Sequence, residues 1–202
     1  VYVDDGITGV PSSVVSCGGG ALETTCTASG LTGGVSYSFE VSALSTTGES
    51  DTSSVLTQAT SPAAVAGSMT FSSVTMTSMV LTWTAPSGAT PTGYIVYRDD
   101  GDSSAMPTPS IVVFEGDALT ATASGLTGGT SYTYMVAALS ASGVGDVSAL
   151  STQSTSPAAP LELSSVTQTS TSISLSWSAS VVSGGSAVTS YNVYRNDGSS
   201  AD

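Results

Sequence analysis

Thr27-Ala28-Ser29-Gly30-Leu31-Thr32-Gly33-Gly34 returns unchanged as Thr122-Ala123-Ser124-Gly125-Leu126-Thr127-Gly128-Gly129, 95 positions further on. An identity of this length marks an internal repeat, and a repeat decides the architecture before any single motif does. The same offset aligns Val1-Tyr2-Val3-Asp4-Asp5-Gly6 with Val96-Tyr97-Arg98-Asp99-Asp100-Gly101, and Ser36-Tyr37 with Ser131-Tyr132. It also aligns Thr60-Ser61-Pro62-Ala63-Ala64 with Thr155-Ser156-Pro157-Ala158-Ala159. Later segments continue the pattern. Ser72-Ser73-Val74-Thr75 pairs with Ser164-Ser165-Val166-Thr167, Trp83 with Trp177, and Tyr94-Ile95-Val96-Tyr97-Arg98 with Tyr191-Asn192-Val193-Tyr194-Arg195, as the offset drifts between 92 and 97. Such drift is what changes in loop length produce.

In this register residues 62–157 are one whole repeat, residues 1–61 the latter part of a preceding one, and residues 158–202 the opening part of a following one. The register therefore predicts a longer array, the alternative being that residues 158–202 of one copy complete residues 1–61 of the next. The joints fall at Ser61-Pro62-Ala63-Ala64 and Ser156-Pro157-Ala158-Ala159-Pro160. Proline there restricts the backbone of its own residue and of the one before it, which favours an extended arrangement of modules.

Within a repeat the apolar residues keep a period of two. Ile173, Leu175 and Trp177 alternate with serines, Met79, Leu81 and Trp83 occupy the matching positions, and Tyr132, Tyr134, Val136 and Ala138 mirror Tyr37, Phe39, Val41 and Ala43. This is the pattern of strands with one buried and one wetted face. Turn formers such as Asp100-Gly101, Gly128-Gly129 and Ser142-Gly143 punctuate it. No amphipathic helix is predicted. The spacing is that of a seven-stranded sandwich of about 100 residues.

The residues that carry this pattern resemble fibronectin type III modules. The resemblance rests on the Trp strands Ser172-Ile173-Ser174-Leu175-Ser176-Trp177 and Met79-Val80-Leu81-Thr82-Trp83, and on Tyr94-Ile95-Val96-Tyr97-Arg98. The segment Leu126-Thr127-Gly128-Gly129-Thr130-Ser131-Tyr132 is similar to that family's tyrosine corner, and the run from Val136 to Gly143 to its Val-x-Ala-x-Asn-x-x-Gly run. It implies an all-β, immunoglobulin-like sandwich of fibronectin type III type in tandem array. Its core would be built on Trp83, Trp177, Tyr37, Tyr132, Leu31 and Leu126. The chain departs from the family in carrying Gly where many members have Pro before the corner Tyr, and in lacking Lys.

Composition excludes much chemistry. Fifteen acidic residues face two basic ones, Arg98 and Arg195, for a net charge of −13 with no His. Nothing here neutralises a phosphate backbone or an anionic lipid surface, so neither nucleic-acid nor polybasic membrane binding is expected. No apolar run reaches the roughly 18 residues that span a bilayer. Without His, no imidazole base exists for a Ser or Cys nucleophile, and two Cys supply too few soft ligands for structural zinc. No cofactor is expected. Ser and Thr, 41 and 29 in number, make up over a third of the chain, yet recurring β-branched and aromatic residues argue against disorder.

Few residues remain as candidate sites. Cys17 and Cys26 flank Gly18-Gly19-Gly20 on segments expected to be neighbouring strands, where they would form a disulfide, the alternative being two free buried thiols. Asp4-Asp5-Gly6, Asp99-Asp100-Gly101-Asp102 and Asn196-Asp197-Gly198 read as turn chemistry more readily than as calcium sites, which need six to eight oxygens. The glutamates are scattered, with no paired carboxylates for glycosidic cleavage. There is neither an Arg-Gly-Asp sequence nor an Asn-x-Ser/Thr sequon. Thr60, Ser61, Thr108, Thr155 and Ser156, all near proline, are candidate O-glycosylation acceptors, which would bring glycans to the surface.

Edge strands usually carry Lys against sideways pairing. Its absence, with the tandem repeat, suggests a structural or adhesive extracellular protein. Its modules would build a filament, sheath or surface appendage through contacts with copies of itself or with neighbouring modules. The alternative, implied by the family resemblance, is a spacer in a secreted carbohydrate-active enzyme. Neither reading places catalysis within these residues.

Overall fold

The computed structural model describes residues 1–3, 13–14, 23–88, 90–99, 111–180, 185 and 187–196, and every described element is a β-strand. In chain order these are β1 (Tyr2–Val3), β2 (Ser13–Val14), β3 (Ser36–Glu40), β4 (Leu44–Ser45), β5 (Gly48–Glu49) and β6 (Leu56–Ala59). The middle repeat supplies β7 (Thr70–Ser72), β8 (Ser78–Thr82), β9 (Gly93–Arg98), β10 (Ile111–Gly116), β11 (Thr120–Ser124), β12 (Ser131–Ser140), β13 (Gly143–Val147) and β14 (Ser151–Ser154). β15 (Leu161–Gln168) and β16 (Ile173–Ser178) follow.

The middle repeat is a sandwich of two antiparallel sheets. One runs β11-β8-β7 and the other β10-β9-β12-β13, with β14 also alongside β12. The alternation read from sequence is what closes it. Met79 and Leu81 on β8, and Trp83 just beyond it, turn inward against Tyr94 and Val96 of β9 and Tyr132, Tyr134, Val136 and Ala138 of β12. Val65, Met69, Ala123 and Leu126 complete the cluster. Trp83 is only 4% exposed and meets Tyr94 and Phe114 edge-on, with ring centroids 5.8 and 5.6 Å away. β12 is the longest strand because it is the central one, bonded to β9 on one side and to β13 and β14 on the other.

The flanking repeats are less covered. β2-β1-β3-β6 is a single sheet in which Val3 and Tyr37 are buried but Leu31 is only half-buried. Among the described residues β15 and β16 pair only with one another, and their apolar face is open there: Ile173 is 65% and Leu175 41% exposed. Trp177 is therefore half-buried, a correction to the expected core position. It keeps its partner Tyr191, at 5.6 Å and 69°, much as Trp83 keeps Tyr94. What it lacks among the described residues is an opposing sheet, and a pair of strands cannot bury a face by itself.

The expectation that Lys-free edges are made for lateral pairing also meets a physical objection. Three of the edge strands of the sandwich are short or irregular: β7 has three residues, β14 has four, and β10 carries a register shift between Val112 and Phe114. Short strands and bulges guard an edge without lysine.

Candidate functional site: a repeated hydroxyl corner and the joint beside it

The octet at 27–34 and 122–129 forms the same structure in both copies. Leu-Thr-Gly-Gly turns back so that the following tyrosine reaches over it: the Thr32 amide donates to the Tyr37 hydroxyl at 2.8 Å, and the Thr127 amide to the Tyr132 hydroxyl at 2.9 Å. A threonine near the end of each module closes the corner from the other side. Thr60 Oγ1 donates to the Thr32 carbonyl at 2.6 Å and accepts from the Val35 amide at 3.2 Å, while Thr155 Oγ1 donates to the Thr127 carbonyl at 2.7 Å and accepts from the Thr130 amide at 3.0 Å. Backbone bonds repeat as well, with Gly34 N donating to Ser61 O at 2.9 Å and Gly129 N to Ser156 O at 2.8 Å.

Other serines and threonines repeat their roles. The Val41 amide donates to Ser53 Oγ and the Val136 amide to Ser148 Oγ, both at 3.1 Å. Ser38 and Thr57, like Thr133 and Thr152, share hydroxyl contacts of 3.1 Å across paired strands. The abundant hydroxyls thus pair backbone groups where the ladders stop, a task that a buried polar group must have filled.

These placements sort the glycosylation candidates. Thr155 is 2% exposed and Thr60 half-buried, each with its hydroxyl bonded into the corner, so Thr155 presents no acceptor oxygen to solvent. Ser156 is half-buried with Oγ near the Val74 carbonyl, at 3.4 Å. Ser61 is exposed, and Thr108 lies outside the described residues. Sequence reasoning missed the clamp role of Thr60 and Thr155, although their identical offset from Thr32 and Thr127 was available as a signal. Of the cysteines, Cys26 is not a free thiol, and Cys17 lies outside the described residues.

The charged groups sit at structural posts. Arg98 stacks its guanidinium over the Tyr132 ring at 5.1 Å, and Asp99, 4% exposed, accepts from the Thr133 amide through Oδ1 at 3.1 Å. Burial pushes the Tyr134 hydroxyl up to about 12, with Arg98 beside it acting weakly in the opposite direction. No group of three or more potential metal ligands occurs among the described residues. Asp4, Asp5, Asp100, Asp102 and Asp197 lie outside them.

Comparison with known proteins bears on what such a chain does. Residues 63–154 match the fibronectin type III domain profile. The chain is 34% identical over 200 residues to Exoglucanase B of Cellulomonas fimi, covering 88% of this chain and 17% of that protein. It is 36% identical over 149 residues to Chitinase A1 of Niallia circulans, covering 67% and 19%, and 39% identical over 140 residues to Endoglucanase B of Cellulomonas fimi, covering 63% and 12%. The chain thus spans less than a fifth of each of these relatives. They overturn the expectation of a filament, sheath or appendage: each is named as an enzyme, and the alternative reading accommodates them. With its two facing sheets, its buried Trp83 and its tyrosine corner, the stretch 63–154 belongs to the fibronectin type III family.

Proposed function

We propose that this chain is a non-catalytic spacer in a secreted polysaccharide-degrading enzyme, its fibronectin type III modules separating a catalytic domain from a carbohydrate-binding domain. The observation that carries the reading is the 34% identity to Exoglucanase B over 200 residues. At a period of 95, that alignment runs through more than one repeat and across both joints. Charge is compatible with the reading. A net charge of −13 is indifferent to neutral glucan or chitin, whereas it opposes the close packing of many copies. Residues 1–61 and 158–202 are proposed to be parts of neighbouring modules, aligned with 62–157 by the repeat. Pairing of Cys26 with Cys17 would suit an extracellular location; thiol titration should then find two reactive groups after reduction and none before.

The test is made on the native polypeptide. Deleting this segment should leave turnover of a soluble oligosaccharide unchanged within about twofold while lowering the hydrolysis of insoluble polysaccharide, because only the latter needs two domains engaged at once. Native polypeptide without hydrolase activity, or a gene that continues as uninterrupted copies of this repeat, overturns the proposal.

A further inference from the structure

Two loops of unequal length bring a glycine backbone onto the Leu-Thr-Gly-Gly corner of the preceding module, at Gly33 in the first joint and, one position further along the corner, at Gly129 in the second. In the first joint Gly88, five residues after Trp83, abuts the corner of the preceding module: a Cβ there would lie 2.8 Å from the Gly33 carbonyl oxygen and 3.2 Å from Thr32 Cγ2. In the second joint Gly185, eight residues after Trp177, lies against the Gly129 carbonyl, and its Cβ would fall 2.9 Å from the Thr130 amide nitrogen. The linker approaches equally closely. A Cβ on Gly33 would sit 2.6 Å from the Ala63 nitrogen, and one on Gly128 3.1 Å from the Ala158 nitrogen. Real side chains do not tolerate the shorter of these separations, so only glycine fits.

We infer that consecutive modules are held to one another by a built contact, in which the glycine of the loop after the Trp strand seats on the Leu-Thr-Gly-Gly corner of the module before it. The receiving surface is already rigid, because tyrosine and threonine hydroxyls tie the corner down from both sides. At the first joint two further contacts reinforce the seat. Ser142 Oγ donates to the Thr60 carbonyl at 2.8 Å, and Gly145 lies so close to the buried Pro62 that a Cβ would fall 2.5 Å from its carbonyl oxygen. The spacing between modules is then set by backbone against backbone, and holds whether or not the chain serves as an enzyme spacer.

Residual dipolar couplings of the full chain test this directly. One alignment tensor should fit residues 36–59 and 70–154 together, and Gly88→Ala should split it in two while leaving the emission of Trp83 unchanged. Gly88 has a φ of +107°, so alanine also strains the loop. Gly67→Ala separates the two effects, since Gly67 has a φ of +78° with open space around its Cβ. That variant should keep a single tensor. Ser142→Ala, which leaves the backbone unstrained, should lower the ordering of residues 36–59 relative to 70–154. Two tensors in the unaltered chain, a single one in Gly88→Ala, a split in Gly67→Ala, or equal ordering in Ser142→Ala overturns the inference.

Discussion

The Tyr132 ring is almost fully buried, yet its hydroxyl accepts from the Thr127 amide, and the carbonyl of that same residue is held by Thr155 Oγ1. Removing one partner of a buried pair exposes the other to the full cost of desolvation, about 1–3 kcal/mol. Tyr132→Phe and Thr155→Val should each lower stability by about that amount in denaturant titration, with little change of shape. Because both act on Thr127, their effects should not add, and a double-mutant cycle should show coupling of about 0.5 kcal/mol or more. Strict additivity would separate the two halves of the corner. Tyr134 offers a different test at the same scale. Its hydroxyl ionises near 10 when the chain is unfolded but only near 12 in the native protein, since burial disfavours the phenolate. Above pH 10 the unfolded state releases a proton that the native state keeps, so stability present below pH 10 is lost as pH rises towards 12. Tyr134→Phe should flatten that decline in alkaline unfolding curves, and an unchanged slope would refute the assignment.

The strands ending in Trp83 and Trp177 have nearly the same local sequence and opposite fates, and the difference lies in what faces them. β8 lies beneath β9 and β12, whereas β16 has β15 beside it and no second layer among the described residues. Trp83→Ala should therefore cost about 3–5 kcal/mol, the usual loss for a large buried aromatic, while Trp177→Ala should cost well under half of that. Denaturant titrations of the two variants measure both, and equal losses would show that β16 is covered. The pair also marks where sequence reading stops. Period-two alternation, the octet and the Trp and Tyr positions made the sandwich legible, because each is a local pattern that repeats. Burial is not local: nothing in Ile173, Leu175 or Trp177 records whether another sheet arrives. The threonine clamps escaped for a related reason. Thr60 and Thr155 stand beside prolines in a Ser/Thr-rich stretch and read as surface acceptors, until folding brings each 28 residues back onto Thr32 or Thr127.

Across the whole molecule, stability follows the distribution of apolar contacts. The buried cluster is drawn from Val65 to Ala138, all within the middle repeat, while β15 and β16 expose Leu161, Leu163, Val166 and Ile173 at 60% or more. A chain built this way does not open as one unit. The sandwich holds its central strand until global unfolding, whereas a lone strand pair frays from the native state. A sandwich stability of about 5 kcal/mol, against almost none for the pair, separates the amide exchange rates by roughly a thousandfold or more. Hydrogen exchange should show that gap between residues 131–138 and residues 161–178 of the isolated chain, with the joint residues Gly34 and Gly129 in between, since each donates to a linker carbonyl. Protection of residues 161–178 matching that of 131–138 would mean that the open face is occupied in solution, and the ranking of the three regions would have to be rebuilt around whatever covers it.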